Sequence, residues 1–118
     1  MKTSELTGAA LDWAVAKCEG RSEPEVVNNF AVAWYTWPNT HYSTNWALGG
    51  PIIERKGLEI VLFGSGWRSS SYWNEHTKRH VHVPMVSEFG STPLIAAMRC
   101  YVASKLGENV DIPKELMQ

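Results

Sequence analysis

Hydrophobic positions fall into two helical stretches near the ends of the chain, with short strand-like runs between them. Leu11, Ala14, Val15 and Cys18 recur at i, i+3, i+4 and i+7, which is one face of a helix. Thr7 stands where an N-cap belongs and Gly20 where a left-handed residue commonly ends a helix, so the pattern predicts a helix over 7–19. Trp13 lies off the centre of that stripe, at the edge of the core or along a groove. Towards the other end, Ile95, Met98, Val102 and Leu106 repeat at helical spacing with Tyr101 beside them. Thr92 is the N-cap of this second helix, Pro93 takes N1, where its missing N–H costs nothing, and Gly107 supplies the stop. The spacing predicts a helix over 93–106. The tail that follows can dock through Ile112 and Leu116.

The middle of the chain reads as strands and loops. Residues 21–29 are polar around Pro24, and Phe30 to Thr36 have strand composition. Residues 37–51, with Pro38, Asn39 and Gly49-Gly50-Pro51, predict a long irregular segment, and long ordered loops are often functional. Ile52-Ile53-Glu54 and Leu58 to Phe63 flank Arg55-Lys56-Gly57, which predicts a hairpin. Gly64-Ser65-Gly66 breaks the pattern, 67–73 has some strand character, and His80-Val81-His82-Val83 alternates like an edge strand ending at Pro84. There is no internal repeat. Two helices packed on a small antiparallel or mixed sheet make one α+β domain over 1–118.

Composition narrows the function classes. At 118 residues, 44% hydrophobic and 19% charged, the chain is long and apolar enough to bury a core and is not of disordered type. Eleven Lys and Arg against twelve Asp and Glu remove the general attraction to long nucleic acid. No apolar run approaches the roughly 20 residues of a membrane span. The polar start, Met1 to Leu6, has no signal-peptide core, so a cytoplasmic protein is expected. Cys18 and Cys100, far apart, predict free core thiols rather than a disulfide framework or a zinc site. No cofactor is expected. Six Trp residues in so small a domain are more than a core ordinarily needs.

Three blocks carry a family resemblance: Met1 to Ala16; His41-Tyr42-Ser43-Thr44-Asn45-Trp46 with Gly49-Gly50-Pro51-Ile52-Ile53-Glu54; and Thr92-Pro93-Leu94-Ile95-Ala96-Ala97-Met98-Arg99-Cys100-Tyr101-Val102-Ala103-Ser104. In order and spacing the chain resembles the NinX-like family of small bacteriophage proteins over almost its whole length. Asn45 stands where that family usually has Asp, so any chemistry an acid did there is lost, and Ser91 replaces the Gly or Pro expected before Thr92. The resemblance implies a phage accessory protein made in a bacterial cytoplasm and implies no particular reaction.

The residues themselves point to binding more than to catalysis. Trp34, Tyr35, Trp37, Tyr42 and Trp46 share one segment with Ser43, Thr44 and Asn45, a composition that suits stacking on a planar ligand and fixing its edges. The bland alternative is that these rings cover a thin core. Gly64 to Trp73 offers backbone N–H groups and Arg68 to an anion but lacks the Lys-Ser/Thr of a phosphate loop. From 65 to 86 the charge is +2, with His76, His80 and His82 nearby, and a metal pair at His80 and His82 lacks a third ligand. Asp12, Glu54, Glu59 and His41 make no recognisable acid–base set. The expected site is therefore Tyr42, Ser43, Asn45, Trp46, Trp67 and Arg68, brought to one sheet end by the 52–63 hairpin. Arg99, on a small-residue helix, is a secondary anion contact. The expected function is binding of a small planar, anionic, nucleotide-type ligand without turnover, sequestering a host signal. The rival is a protein-interaction module for a host or phage protein, since Trp, Tyr and Arg also dominate interfaces, and a homo-oligomer is a further expected partner state. A small enzyme of unknown reaction comes third.

Overall fold

The computed structural model describes residues 1–20, 40–113 and 116. The loop or short helical turn expected over 21–29, the strand over 30–36, and Trp34, Tyr35 and Trp37 lie outside the described residues. A one-turn 3-10 helix, Thr3–Glu5, leads into α1, Gly8–Cys18. Then follow α2, Trp46–Lys56; β1, Glu59–Phe63; β2, Gly66–Ser71; β3, Trp73–Asn74; β4, Arg79–His80; β5, Val86–Gly90; and α3, Pro93–Leu106. The domain is α+β. β1, β2 and β5 form an antiparallel sheet in that spatial order, and β3 pairs with β4 in a separate small hairpin.

α3 is the centre of the molecule. It packs against β1, β2 and β5 and also meets α1 and α2. Eight of its residues are buried: Leu94, Ala96, Ala97, Met98, Cys100, Tyr101, Val102 and Ala103. A helix covered on so many sides needs apolar residues nearly all round rather than one stripe. Its start is as the sequence predicts: Thr92 Oγ1 accepts from Ile95 N at 3.1 Å, with Pro93 next. Small residues let the sheet come close. A Cβ on Gly90 would lie 2.6 Å from the backbone nitrogen of Ala96, so only glycine fits there. Ser69 and Ser71 of β2, also buried, occupy the same helix-facing side.

α1 begins after Thr7, whose side chain makes no cap bond, and ends before Gly20, at φ +74°. On its predicted face Leu11, Ala14 and Val15 are buried and Cys18 is half-buried; Ala10, Asp12, Trp13 and Ala16 are buried as well. Trp13 belongs to the core cluster rather than to a groove. The tail returns to the body: Ile112 and Leu116 are buried, and the Met1 amino group donates to Val110 O at 3.0 Å.

The hairpin expected over 52–63 is not formed; residues 46–56 are helix. Asn45 Oδ1 caps it by accepting from Ala47 N at 2.9 Å. Gly49 is required by packing, because a Cβ there would lie 2.5 Å from Leu94 Cδ1 and 2.7 Å from Tyr42 O. Pro51 sits on the exposed side, where the hydrogen bond it withholds is easily replaced by water. Arg55-Lys56-Gly57 is the helix end rather than a strand turn. Gly57 is left-handed at φ +61°, with its own N–H on Glu54 O (3.3 Å) and the next, of Leu58, on Ile53 O (3.1 Å). Cations before a left-handed glycine mark a helix end as well as a turn, which is why the pattern misleads. The actual hairpin joins β1 to β2 through Gly64-Ser65, with Gly64 at φ +61°. The edge strand expected over 80–83 shrinks to Arg79–His80, and His82 lies outside it.

Gly90→Ala is expected to cost more than the cap. The methyl would force α3 off the sheet, an overpacking loss of about 1–3 kcal/mol. Thr92→Ala removes one N-cap bond, about 1 kcal/mol. Urea denaturation of the two variants checks the order.

Candidate ligand site

The seven residues expected at a site fall into separate structural roles. Tyr42 is in the core cluster. Ser43 is buried, and its N–H donates to Asp12 Oδ1 at 2.8 Å. Asn45 is the α2 cap, which explains an amide side chain there without any chemistry. Trp46 is 54% exposed at the first helical position, with its ring alongside Gly50. Trp67 and Arg68 are consecutive in β2, so their side chains leave opposite faces of the sheet and cannot share one wall. Arg68 stands 5.6 Å over the Phe63 ring, with Nη2 3.9 Å from Glu59 Oε1. Arg99 donates from Nε to Leu6 O and from Nη1 to Phe89 O, both at 2.8 Å. It is tied to main-chain carbonyls rather than to a carboxylate; burial pulls its pKa down and Glu88 opposes the shift. The hairpin that was to bring 46–51 beside 64–68 is not formed, since residues 46–56 are helix.

Asp12, weighed only as a stray acid in the sequence, is a fixture of the core. It is fully buried in α1 and fastens the 40–45 turn through Ser43. Only tertiary packing reveals this.

A cavity of about 330 Å³ opens elsewhere, between the last turns of α2 and α3 and the β3–β4 hairpin. Arg55 and Lys56 come from α2, Lys105 and Ser104 from α3, and Trp73, Glu75, His76 and His80 from the hairpin. Ser71, Met85 and Val86 complete the wall. None of the seven expected residues lines it. Its volume is of small-ligand size. The hairpin is held by Asn74, whose Oδ1 accepts from the N–H groups of His76 (2.8 Å) and Thr77 (3.2 Å). Across it the Trp73 and His80 rings meet edge to face with centroids 5.2 Å apart.

Charge is distributed unevenly around this cavity. Arg55 Nη2 is 2.6 Å from Glu19 Oε2, which also accepts from the Tyr101 hydroxyl at 2.5 Å. That cluster joins the ends of α1 and α2 to the middle of α3. Burial, then the Glu19 carboxylate, pushes the Tyr101 phenol above its usual range. Burial opposes the Arg55 charge, but Glu19 outweighs it and holds the guanidinium above its ordinary value. Glu75 is paired with Lys78 at 2.8 Å, which holds its carboxyl below the usual range. Lys56 and Lys105 have no carboxylate within 4.0 Å among the described residues. Lys56 Nζ lies 5.9 Å from the Tyr101 ring centroid. Both lysines also stand in the last turns of their helices, where positive charge offsets the negative dipole end.

The family model described as bacteriophage P22 NinX matches residues 2–105. The chain belongs to this family. No curated protein matches it. The NinX assignment covers the three helices up to Lys105 and every residue of the cavity wall, and it names no ligand or reaction. A second, more acidic recess of about 280 Å³ lies between Lys2, Ser4, Glu88, Glu108 and Asn109. Burial raises the Glu88 carboxyl there, against the pull of Arg99. Among the described residues no three His, Cys, Asp or Glu side chains gather to hold a metal, and no helix is long and apolar enough to cross a membrane.

The lysines and Arg55 were legible as helix-end or turn cations but not as neighbours. His76 and His80 did carry a signal, the positive local charge of the 65–86 stretch. What joins these segments is the meeting of two helix ends with a hairpin, and no spacing in the sequence encodes it.

Cys18 and Cys100 are unpaired, and burial pushes both thiols up to about 12. Thiolate is the reactive form. A disulfide-exchange reagent at pH 8 is expected to label both slowly in the folded protein and rapidly in denaturant. Immediate stoichiometric labelling of the native protein would contradict this burial.

Proposed function

We propose that this NinX-family chain binds a small planar, anionic ligand of nucleotide type in the cavity between α2, α3 and the β3–β4 hairpin, without turning it over. It acts in the bacterial host cytoplasm, where holding such a ligand would withdraw a host signal. The observation that carries the reading is the pairing of an indole wall, Trp73, with two lysines, Lys56 and Lys105, that have no carboxylate partner among the described residues. A planar group gains by lying against an aromatic face, and an ammonium group without a carboxylate partner attracts a phosphate. The ligand class is the one expected from the sequence; the supporting residues are different.

A second reading draws on another observation. Phe63 and Phe89 are 53% and 49% exposed, with ring centroids 5.2 Å apart, and Arg68 stands over Phe63. Exposed aromatic rings beside an arginine are also what a protein-binding face presents. A host protein or a second copy would be its occupant.

Titration of a panel of nucleoside mono-, di- and cyclic phosphates, followed by tryptophan fluorescence, separates the two. Lys105→Ala is expected to weaken the bound nucleotide by about 1.5–3 kcal/mol, and Trp73→Ala by about 1–3 kcal/mol. Arg68→Ala is expected to leave it unchanged. Binding lost in Arg68→Ala but kept in Lys105→Ala would move the ligand to the sheet. No binding by any nucleotide, with a protein retained in native mass spectrometry, would favour the interaction module.

A further inference from the structure

The three-stranded sheet has two outer strands, and their free edges differ. On β5 the edge is taken: Arg99 Nη1 donates to Phe89 O at 2.8 Å, so that carbonyl points away from β2 and is already bonded. On β1 the edge is open. Phe63 and Gly66 close the two-residue turn at Gly64-Ser65, and the residues that close such a turn bond to each other. Bonding alternates from there along an antiparallel pair, so Phe63, Val61 and Glu59 bond to β2 while the N–H and C=O groups of Ile60 and Leu62 point outward. The far side of β2 agrees: Phe89, across from Arg68, bonds away from it, which leaves Arg68 to bond with Val61. Among the described residues no backbone partner of Ile60 or Leu62 is found outside the strand ladder.

Nothing on β1 discourages pairing. Edge strands are ordinarily protected by Lys, Pro, a bulge or extreme shortness. Glu59–Phe63 has five residues in unbroken register, and its only charge stands at the start. Leu62 and Phe63 are 67% and 53% exposed at its far end. The strand is also complementary to itself. Two copies running antiparallel about a two-fold axis at Val61 pair all five residues: Val61 with Val61, Ile60 with Leu62 and Glu59 with Phe63. The outward groups of Ile60 then meet those of Leu62 in the second copy, and each such pair exchanges two hydrogen bonds. On the α3 side, the exposed Leu62 comes beside Ile60 of the second copy, an apolar cross-strand pair. On the other side, Glu59 of the second copy comes across from Phe63, the ring that Arg68 stands over at 5.6 Å. Arg68 has a contact of only 3.9 Å to its own Glu59, and its buried Nε has no hydrogen-bond partner among the described residues. A carboxylate arriving there is complementary to it.

Resting on the second reading above, we propose that a second copy of this chain docks on β1 and joins the two three-stranded sheets into one continuous antiparallel sheet. The contact lies at the sheet's edge rather than on its face. A two-fold pairing of this kind closes on itself, and the β5 edges left at the two ends are occupied by Arg99, so assembly stops at the dimer. No β1 residue lines the cavity between α2, α3 and the β3–β4 hairpin, so dimer and ligand site stand or fall separately.

Light scattering on the eluting full-length protein at rising concentration is expected to show twice the 13.2 kDa of one chain. Leu62→Lys is expected to return the mass to one chain. Phe89→Ser, beside Phe63 on the sheet face but on the far strand, is expected to keep the dimer. Cysteine cross-linking reads the register, because residues at a non-hydrogen-bonded antiparallel position have Cα atoms about 4.5 Å apart, within disulfide reach. Val61→Cys is therefore expected to give a covalent dimer under mild oxidation, and Glu59→Cys, two residues off the axis, is not. The cross-link decides the matter even if Leu62→Lys fails to fold. A single-chain mass at every concentration, with no cross-link through Val61→Cys, would overturn the proposal. So would a dimer lost in Phe89→Ser and kept in Leu62→Lys, which would put the contact on the sheet face and leave the second reading standing without the edge.

Discussion

The close approach of α3 to the sheet is the constraint on which the rest of the domain depends. At Gly90 the backbone of β5 comes so near Ala96 that no side chain fits between them. Ala96, Ala97 and Ala103 keep α3 narrow, and Ser69 and Ser71 keep the facing strand low. A thin helix seated on a low sheet leaves its remaining sides free for α1 and α2. The result is a helix buried nearly all round, with the larger side chains, Met98, Tyr101 and Val102, filling the space between elements. Packing of this density has little room for added volume.

Several polar side chains in this arrangement tie one element to another. Asp12 holds the turn before α2, Arg99 ties Leu6 and Phe89 through their carbonyls, and Glu19 collects Arg55 and Tyr101. Each engages a polar group that folding takes wholly or partly out of water, Asp12 most completely and Arg55 least. Each also joins segments distant in sequence, so they fix the mutual position of the elements. Several side chains that look chemical in the sequence are used up this way. The asparagine at position 45 is a helix cap; whether or not an acid there once did chemistry, an amide oxygen meets the structural need equally well.

The cavity arises from the same geometry. α2 and α3 both end with cations close to a glycine, which is ordinary helix-end chemistry. Because the two ends converge on one hairpin, charges placed for the helices also face a common space. The lysines that suit the helix ends therefore line the cavity as well, with Trp73 of the hairpin beside them.

The sequence by itself determined the parts whose causes are local. The α3 boundaries followed from Thr92, Pro93 and Gly107, α1 from its apolar spacing and Gly20, the free thiols from their isolation, and the family from three blocks in order. It misread 46–56, because Gly-Gly-Pro and Arg-Lys-Gly are breakers in one context and a tolerated interior and a helix end in another. Only packing on Leu94 and Tyr42 selected the helix. It also joined Trp67 to Arg68, which a strand's alternation sends to opposite faces. Tertiary structure alone decided which charges are spent in the interior and which face the cavity, since that depends on elements far apart in the chain meeting in space.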